Sequence, residues 1–290
     1  LIHGNIYHND RIVPIEQARL SPGQGGLMNG WGLFTTMRIF QGVPFEFERH
    51  WRRLEKDAVR IRLPFAFDPL DVRRRLSELL QANRVVEGTA RIYMINNRAG
   101  FWQSEEPLPP VDLILCTAGL PAHPENARLS IAEHGRHAAS PLAGVKVTSW
   151  LNNVWQLAET QKQGWTEVVL LNERGEVAEC TTANIFSVKN GTVATPPLSS
   201  GCLEGVTRSV LLEIAPLISV PMVEQTLRPE DLFAADEVFI TSTNRSLLGV
   251  SEIAGHKYAE APGPMAQKLE IAFSAIMREY VARQAATRKQ

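Results

Sequence analysis

The reading of this 290-residue chain turns on three runs, PLAGVKVTSWLNN (141–153), NERGEVAECTTANIF (172–186) and TPPLSSGCLEGVTR (195–208). The first carries one lysine, Lys146, in an otherwise apolar segment. The second carries Glu179, expected in a short polar loop between two strand-like runs, VVLLN and NIFSV. The third ends in Gly-Val-Thr-Arg, where a helix continuing through SVLLEIA is expected to open. The backbone N–H groups of Val206 and Thr207 then have no partner within that helix and are available to an anion. An amine, a buried acid and a helix start together suit an aldehyde cofactor that carries a ring nitrogen and a phosphate.

Each residue type answers to that chemistry. A lysine in a desolvated pocket keeps a neutral amine, which can form a Schiff base with pyridoxal 5'-phosphate and afterwards shuttle a proton. A carboxylate opposite the pyridine nitrogen keeps that nitrogen protonated, so the ring withdraws electrons from a neighbouring carbanion. Taken singly, none of these signals is specific. An isolated lysine is usually a surface residue, and an isolated glutamate after a turn usually carries no chemistry.

Further pieces stand along the chain in a fixed order: FTTMR from Phe34, HWRRL from His50, NNRAG from Asn96, LAGVK ending at Lys146, ECTTANIF from Glu179, TPPL from Thr195, GCLEGVTR from Gly201 and ITSTN from Ile240. From about Gly30 to about Leu248 the chain resembles the class IV aminotransferase family of pyridoxal-phosphate enzymes. That family contains branched-chain and D-amino acid aminotransferases and 4-amino-4-deoxychorismate lyase. The resemblance implies an α+β fold of the D-amino acid aminotransferase-like, fold-type IV kind, with a small α/β sandwich and a larger domain with a β-barrel-like core. It implies that Lys146 binds the cofactor aldehyde and that Glu179 pairs with the ring nitrogen. It implies further that Arg53 grips the phosphate through its rigid two-pronged donor set, with the Val206 and Thr207 backbone and the Thr243 hydroxyl, and that Leu203 packs on the ring. A solvated helix charge is the competing reading of Arg53. The resemblance also implies a homodimer and a small amine or amino-acid substrate.

For the substrate side the resemblance points to Phe34, Thr36, Arg38, His50 and Arg98. His50, one helical turn before Arg53, either orients pocket groups or is an ordinary helix-face histidine. Arg98, in NRAG, either meets the substrate carboxylate or is a loop charge. Trp31, Phe101 and Trp102 suit an aromatic wall or a core equally well. Two departures matter. Phe34-Thr35-Thr36 stands where aminotransferases of the family carry an aromatic residue followed by Glu, and Trp31 stands where an acidic residue is frequent. The first, together with LAGVK and AECTTANIF, favours a lyase that converts 4-amino-4-deoxychorismate into 4-aminobenzoate and pyruvate for folate synthesis. The alternative is an amino-acid aminotransferase using 2-oxoglutarate.

The remaining sequence narrows the setting. A composition 44% hydrophobic is ample for real cores, and a formal net charge of −1 gives no electrostatic case for nucleic acid or an anionic membrane. No apolar run approaches spanning length and no signal-like start is present, so a cytoplasmic protein is expected. Cys116, Cys180 and Cys202 are scattered and read as reduced. His134 and His137 lack partners at metal-ligand spacing and read as loop residues, with no metal expected. The glycines of SPGQGGLMNGWG do not follow a dinucleotide fingerprint. The expected domains are a small α+β domain over 1–120, a linker over 121–128 holding the prolines of LPAHPENAR, and a larger cofactor-binding domain over 129–290. Helices are expected over 48–60, after Asp68-Pro69, over 152–162, from Val206 and from about Met265.

Overall fold

The Asn9-Asp10 turn folds the start of the chain into a hairpin of β1 (Asn5–His8) and β2 (Arg11–Pro14). The glycine-rich run after it forms the short helix α1 (Gly25–Asn29), closed by Gly30 at φ +64°. A Cβ at Gly30 would meet the Ser149 Cβ at 2.7 Å, so both the backbone sign and the space select glycine there. The structure is a computed structural model and describes residues 1–97 and 109–287.

The first compact unit comprises Leu1–Pro121, Val145–Trp150 and the C-terminal residues from Glu279. Beyond the hairpin it contains β3 (Gly32–Phe40), β4 (Val43–Pro44), α2 (Phe47–Arg60), α3 (Pro69–Ala82), β5 (Gly88–Asn96) and β6 (Val111–Ala118). Helix α3 begins as its sequence dictates: the Asp68 carboxylate accepts from Leu70 and Asp71 N–H, and Pro69 takes the first turn, where its missing N–H costs nothing. Among the described residues the strands form an antiparallel sheet in the order β2-β1-β6-β5-β3-β4. Alternation along β3 sends Leu33, Met37 and Ile39 into a core with Trp51 and Leu54 of α2 and Leu76 and Leu79 of α3. Phe34, Thr36 and Arg38 therefore point to the other face.

The second unit comprises Ala122–Gly144 and Leu151–Arg278. It contains β7 (Ala127–Ala132), α4 (Leu151–Lys162), β8 (Glu167–Leu171), β9 (Val177–Cys180), β10 (Asn184–Lys189), β11 (Thr192–Thr195), α5 (Val206–Ile214), β12 (Met222–Glu224), α6 (Pro229–Phe233), β13 (Glu237–Ser242), β14 (Ser246–Ile253) and β15 (His256–Lys257). Helix α7 (Pro264–Thr287) follows, and its residues from Glu279 group with the first unit. The strands make a mixed sheet in the order β12-β11-β10-β13-β14-β7-β8-β9, with β15 paired to β14. Phe186 and Phe239, opposite each other on β10 and β13, stack at 4.9 Å inside it. No helix among the described residues is long and apolar enough to cross a membrane.

One expectation is corrected. Glu179 lies in a strand, not a loop: β9 pairs antiparallel with β8, and Leu170 faces Glu179. The polar run NERGE conceals this, because a tight turn built on the Asn172 side chain, which accepts from the Arg174 and Glu176 N–H groups, returns the chain at once. The four residues of VAEC are all buried, which gives no polar–apolar alternation to read.

Candidate active site

In the first unit the Lys146 segment is fastened to the edge residues of β3 by its backbone. The Lys146 carbonyl accepts from Phe34 N at 3.0 Å, its N–H donates to Asp57 Oδ2 at 3.2 Å, and Thr148 N donates to Gly32 O at 2.9 Å. Backbone at both ends is thus held while the side chain lies against aromatic surface. Lys146 Nζ is 4.6 Å from the Phe34 ring centroid and 4.7 Å from that of Trp150, and these two rings meet edge to face at 5.5 Å. Such ring faces attract an ammonium but accept no strong hydrogen bond from it. The buried Asp57 carboxyl is pushed up by desolvation, against the Lys146 N–H and the charges of Arg53, Arg60 and Lys56.

Arg53 and His50, one turn apart on α2, converge on the buried Thr35. Arg53 Nη2 donates to Thr35 Oγ1 at 2.9 Å, and the same oxygen lies 2.7 Å from His50 Nδ1. A guanidinium only donates, so the Thr35 oxygen accepts from Arg53 while it also bonds the His50 ring nitrogen. Burial, followed by the charges of Arg53 and Lys146, holds the His50 pKa well below the ordinary histidine range. His50 is therefore a neutral element that fixes Arg53 through Thr35. On the open face of β3, Thr36 Oγ1 accepts from Arg91 Nε at 3.1 Å, and Arg38 is paired with Glu87 at 3.1 Å. Trp31 donates its indole N–H to the Ile61 carbonyl at 3.0 Å and packs on the core. Arg98, Phe101 and Trp102 lie outside the described residues.

In the second unit Glu179 is fixed by its side chain. Arg136 Nε and Nη2 reach Glu179 Oε1 at 3.0 and 2.9 Å, and Leu203 N donates to Oε2 at 3.1 Å. Arg136 in turn donates from Nη1 to Asn153 Oδ1 at 3.0 Å, and the Asn153 amide is anchored on the Thr181 carbonyl at 2.6 Å. The sequence gives no sign of Arg136 and Asn153 as partners of Glu179, since they come from a loop and from α4. Asn184 Nδ2 holds the Leu203 carbonyl at 2.9 Å. A Cβ on Gly205, just beyond, would overlap Asn184 Oδ1, so glycine is required for this approach.

Gly205 also caps α5 without any side-chain hydrogen bond, which leaves the buried first turn at Val206 and Thr207 to an outside acceptor. Thr243 stands in the turn between β13 and β14. On either side of it Thr241 Oγ1 and Asn244 Oδ1 are buried with no hydrogen-bond partner. The uncapped N–H groups of Val206 and Thr207 and the hydroxyls of Thr241 and Thr243 are donors of the kind that a phosphate requires, and Glu179, locked as it is, suits a protonated ring nitrogen. The residues present fit pyridoxal phosphate.

The family model of amino-transferase class IV matches residues 32–253. An aminodeoxychorismate lyase of Bacillus subtilis is 28% identical over 276 residues, covering 92% of this chain and 93% of that one. A putative branched-chain-amino-acid aminotransferase of Methanocaldococcus jannaschii is 30% identical over 255 residues, covering 86% and 88%. Among solved structures, the branched-chain aminotransferase of the thermophilic archaeon Thermoproteus uzoniensis with norvaline superposes with a TM-score of 0.87 at 25% identity over 95% of each chain. The mixed α+β fold expected from the resemblance, of the fold-type IV kind, is the fold found. The chain belongs to the class IV aminotransferase family, whose cofactor is pyridoxal phosphate, and is an enzyme of the lyase or aminotransferase branch of it.

Proposed function

We propose that the protein is the lyase that releases pyruvate from 4-amino-4-deoxychorismate to give 4-aminobenzoate. The observation that carries this reading is the surroundings of the Lys146 amine: two aromatic rings and, on β3, Phe34 and Thr36 with no carboxylate between them. Such a floor suits a flat ring substrate that becomes aromatic. Identity to the Bacillus subtilis lyase along nearly the whole chain supports the same reading.

Lys146 would hold the cofactor and move the proton at the amine-bearing carbon. Glu179 would pair with the ring nitrogen, and Leu203 would pack on the ring. Arg53, the N–H groups of Val206 and Thr207, and the Thr243 hydroxyl would hold the phosphate. Phe34, Thr36, Arg38, His50 and Arg98 serve the substrate side, His50 by fixing Arg53. When bound, the cofactor supplies an electron sink for the carbanion left by proton removal. Lys146 acts as a base only while its amine is neutral. Arg136 keeps the Glu179 carboxylate in place throughout.

The second reading is a branched-chain or D-amino acid aminotransferase using 2-oxoglutarate, supported by the 30% identity to the archaeal relative. Incubating the holoenzyme with 4-amino-4-deoxychorismate, and separately with amino acids plus 2-oxoglutarate, separates the two. Fluorescent 4-aminobenzoate from the first mixture is the expected result. Turnover of the second alone overturns the lyase assignment. A homodimer is part of the proposal, built on the apolar face of α4, where Leu151, Val154 and Trp155 stand 78%, 56% and 56% exposed. Light scattering that gives the mass of one chain would contradict it. The three free cysteines, two of them buried, accord with a cytoplasmic setting.

A further inference from the structure

We propose that Glu167 is a positioning residue for the cofactor: a buried carboxylate whose two oxygens steady the two ends of its site, the Glu179 clamp through one and the Thr243 turn through the other. This rests on the reading of Glu179 and Thr243 as the partners of ring nitrogen and phosphate. Glu167 opens β8 and is 1% exposed. Its Oε1 accepts from Thr181 N at 3.1 Å, from the Thr181 hydroxyl and from Val168 N at 3.2 Å. Its Oε2 accepts from the Thr182 hydroxyl at 2.5 Å and lies 3.6 Å from Arg245 Nη1. That same nitrogen donates to the Thr182 oxygen at 2.7 Å.

Each oxygen leads to a different part of the site. From Oε1 the bonds run through Thr181, whose carbonyl anchors the Asn153 amide at 2.6 Å; Asn153 holds Arg136, and Arg136 holds Glu179. From Oε2 they run through Thr182 and Arg245 to the turn between β13 and β14, which Arg245 N closes on the Ser242 carbonyl at 3.2 Å around Thr243. Glu179 stands two residues before Thr181, and Thr243 two before Arg245. Neither can shift far without straining a bond to Glu167. The rest of β8, Val168 to Leu171, is buried and aliphatic. Joining β8 to β9 alone calls for no charge there, since an apolar residue does so without the cost of taking a carboxylate out of water. A buried network with its acceptors satisfied rigidifies the segments it touches, and the segments touched here are those that carry the site.

The test uses the full chain freed of cofactor and two ligands, pyridoxal phosphate and pyridoxal, which share the ring and differ in the phosphate. Equilibrium dialysis gives each dissociation constant. Glu167→Gln keeps a carbonyl oxygen for Thr181 and puts an uncharged amide where Thr182 and Arg245 had their acceptor. It should weaken pyridoxal phosphate about tenfold, the size of a lost charge-assisted hydrogen bond, and leave pyridoxal within about twofold. Arg245→Gln and Thr182→Val should do the same, and Glu167→Gln combined with Arg245→Gln should lose no more than either alone. Thr181→Val removes a donor from the other oxygen and should weaken both ligands alike, by about threefold. A merely structural role moves the two ligands in parallel, so a parallel loss in Glu167→Gln overturns the proposal, as do unchanged binding of both ligands and additive losses in the double variant. Should Glu167→Gln fail to fold, Thr182→Val decides on the same terms, because its side chain is exposed and Glu167 stays in place. Thr243→Val is the separate control. If it leaves the preference for pyridoxal phosphate over pyridoxal intact, the reading of Thr243 fails, and the inference falls with it for a distinguishable reason.

Discussion

Lys146 and Glu179 are held in opposite ways. Lys146 is fixed by its backbone, through Asp57 and Phe34, while its amine faces two aromatic rings. Glu179 is fixed by its side chain, whose two oxygens take three N–H groups from Arg136 and Leu203. The difference teaches which residue reacts. A group that must exchange partners and move a proton is presented on a rigid backbone with soft surroundings. A group that must stay where it is, and stay charged, is enclosed by donors that are themselves anchored, here by Asn153 on the Thr181 carbonyl.

If that contrast is right, changing the two residues should fail differently. Lys146→Ala should lower turnover by about 10³-fold or more, the scale of a lost proton-transfer group, with little change in the unfolding midpoint. Arg136→Leu should do the reverse first. It strands the nearly buried Glu179 carboxylate, and a stability loss of about 3 kcal/mol is expected in urea unfolding. The double change Arg136→Leu with Glu179→Leu should recover much of that loss, and a double-mutant cycle with no coupling would break the comparison. A smaller effect is expected at Thr35→Val, which removes the shared oxygen between Arg53 and His50. Arg53 stays charged but loses its orientation, so equilibrium dialysis should find cofactor affinity about tenfold weaker, with the visible spectrum of the bound form unchanged.

The smallest effect concerns pH. The folded pKa of His50 is depressed, so at pH below its unfolded value near 6.5 the unfolded chain binds a proton that the folded one refuses. This contribution to stability is complete above that pH and is lost as pH falls, at about 1.4 kcal/mol per unit while the folded imidazole stays neutral. His50→Gln should flatten that part of the profile between about pH 6.5 and 5, measured by urea titration at each pH. An unchanged slope would mean that the folded imidazole takes its proton after all.

The same contrast explains what the sequence discloses. Residues placed by local rules are legible: Asp68-Pro69 announces α3, the alternation in FTTMRIF puts Phe34 and Thr36 on one face and Thr35 on the other, and Gly-Val-Thr-Arg opens α5. Residues that act through distant pairing are not. Arg136 and Glu179 are 43 positions apart, Arg91 and Thr36 are 55 apart, and nothing in their spacing joins them. Strand β9 escaped because four buried residues behind a polar turn have no periodicity. The grouping of Val145–Trp150 with the first unit follows from the Leu33–Val147 bridge, a long-range pairing that chain order hides. His50 is legible as a member of the HWRRL pattern, yet its task, to hold Arg53 by way of Thr35, depends on β3 packing against α2.

The central claim is that one lysine, Lys146, bonds the cofactor. The most direct measurement is to treat the holoenzyme with borohydride, digest it and locate the pyridoxyl group by mass spectrometry. The account predicts a single modified peptide, with the added mass on Lys146. A pyridoxyl group on any other lysine, or none on a protein that still turns over substrate, would contradict it.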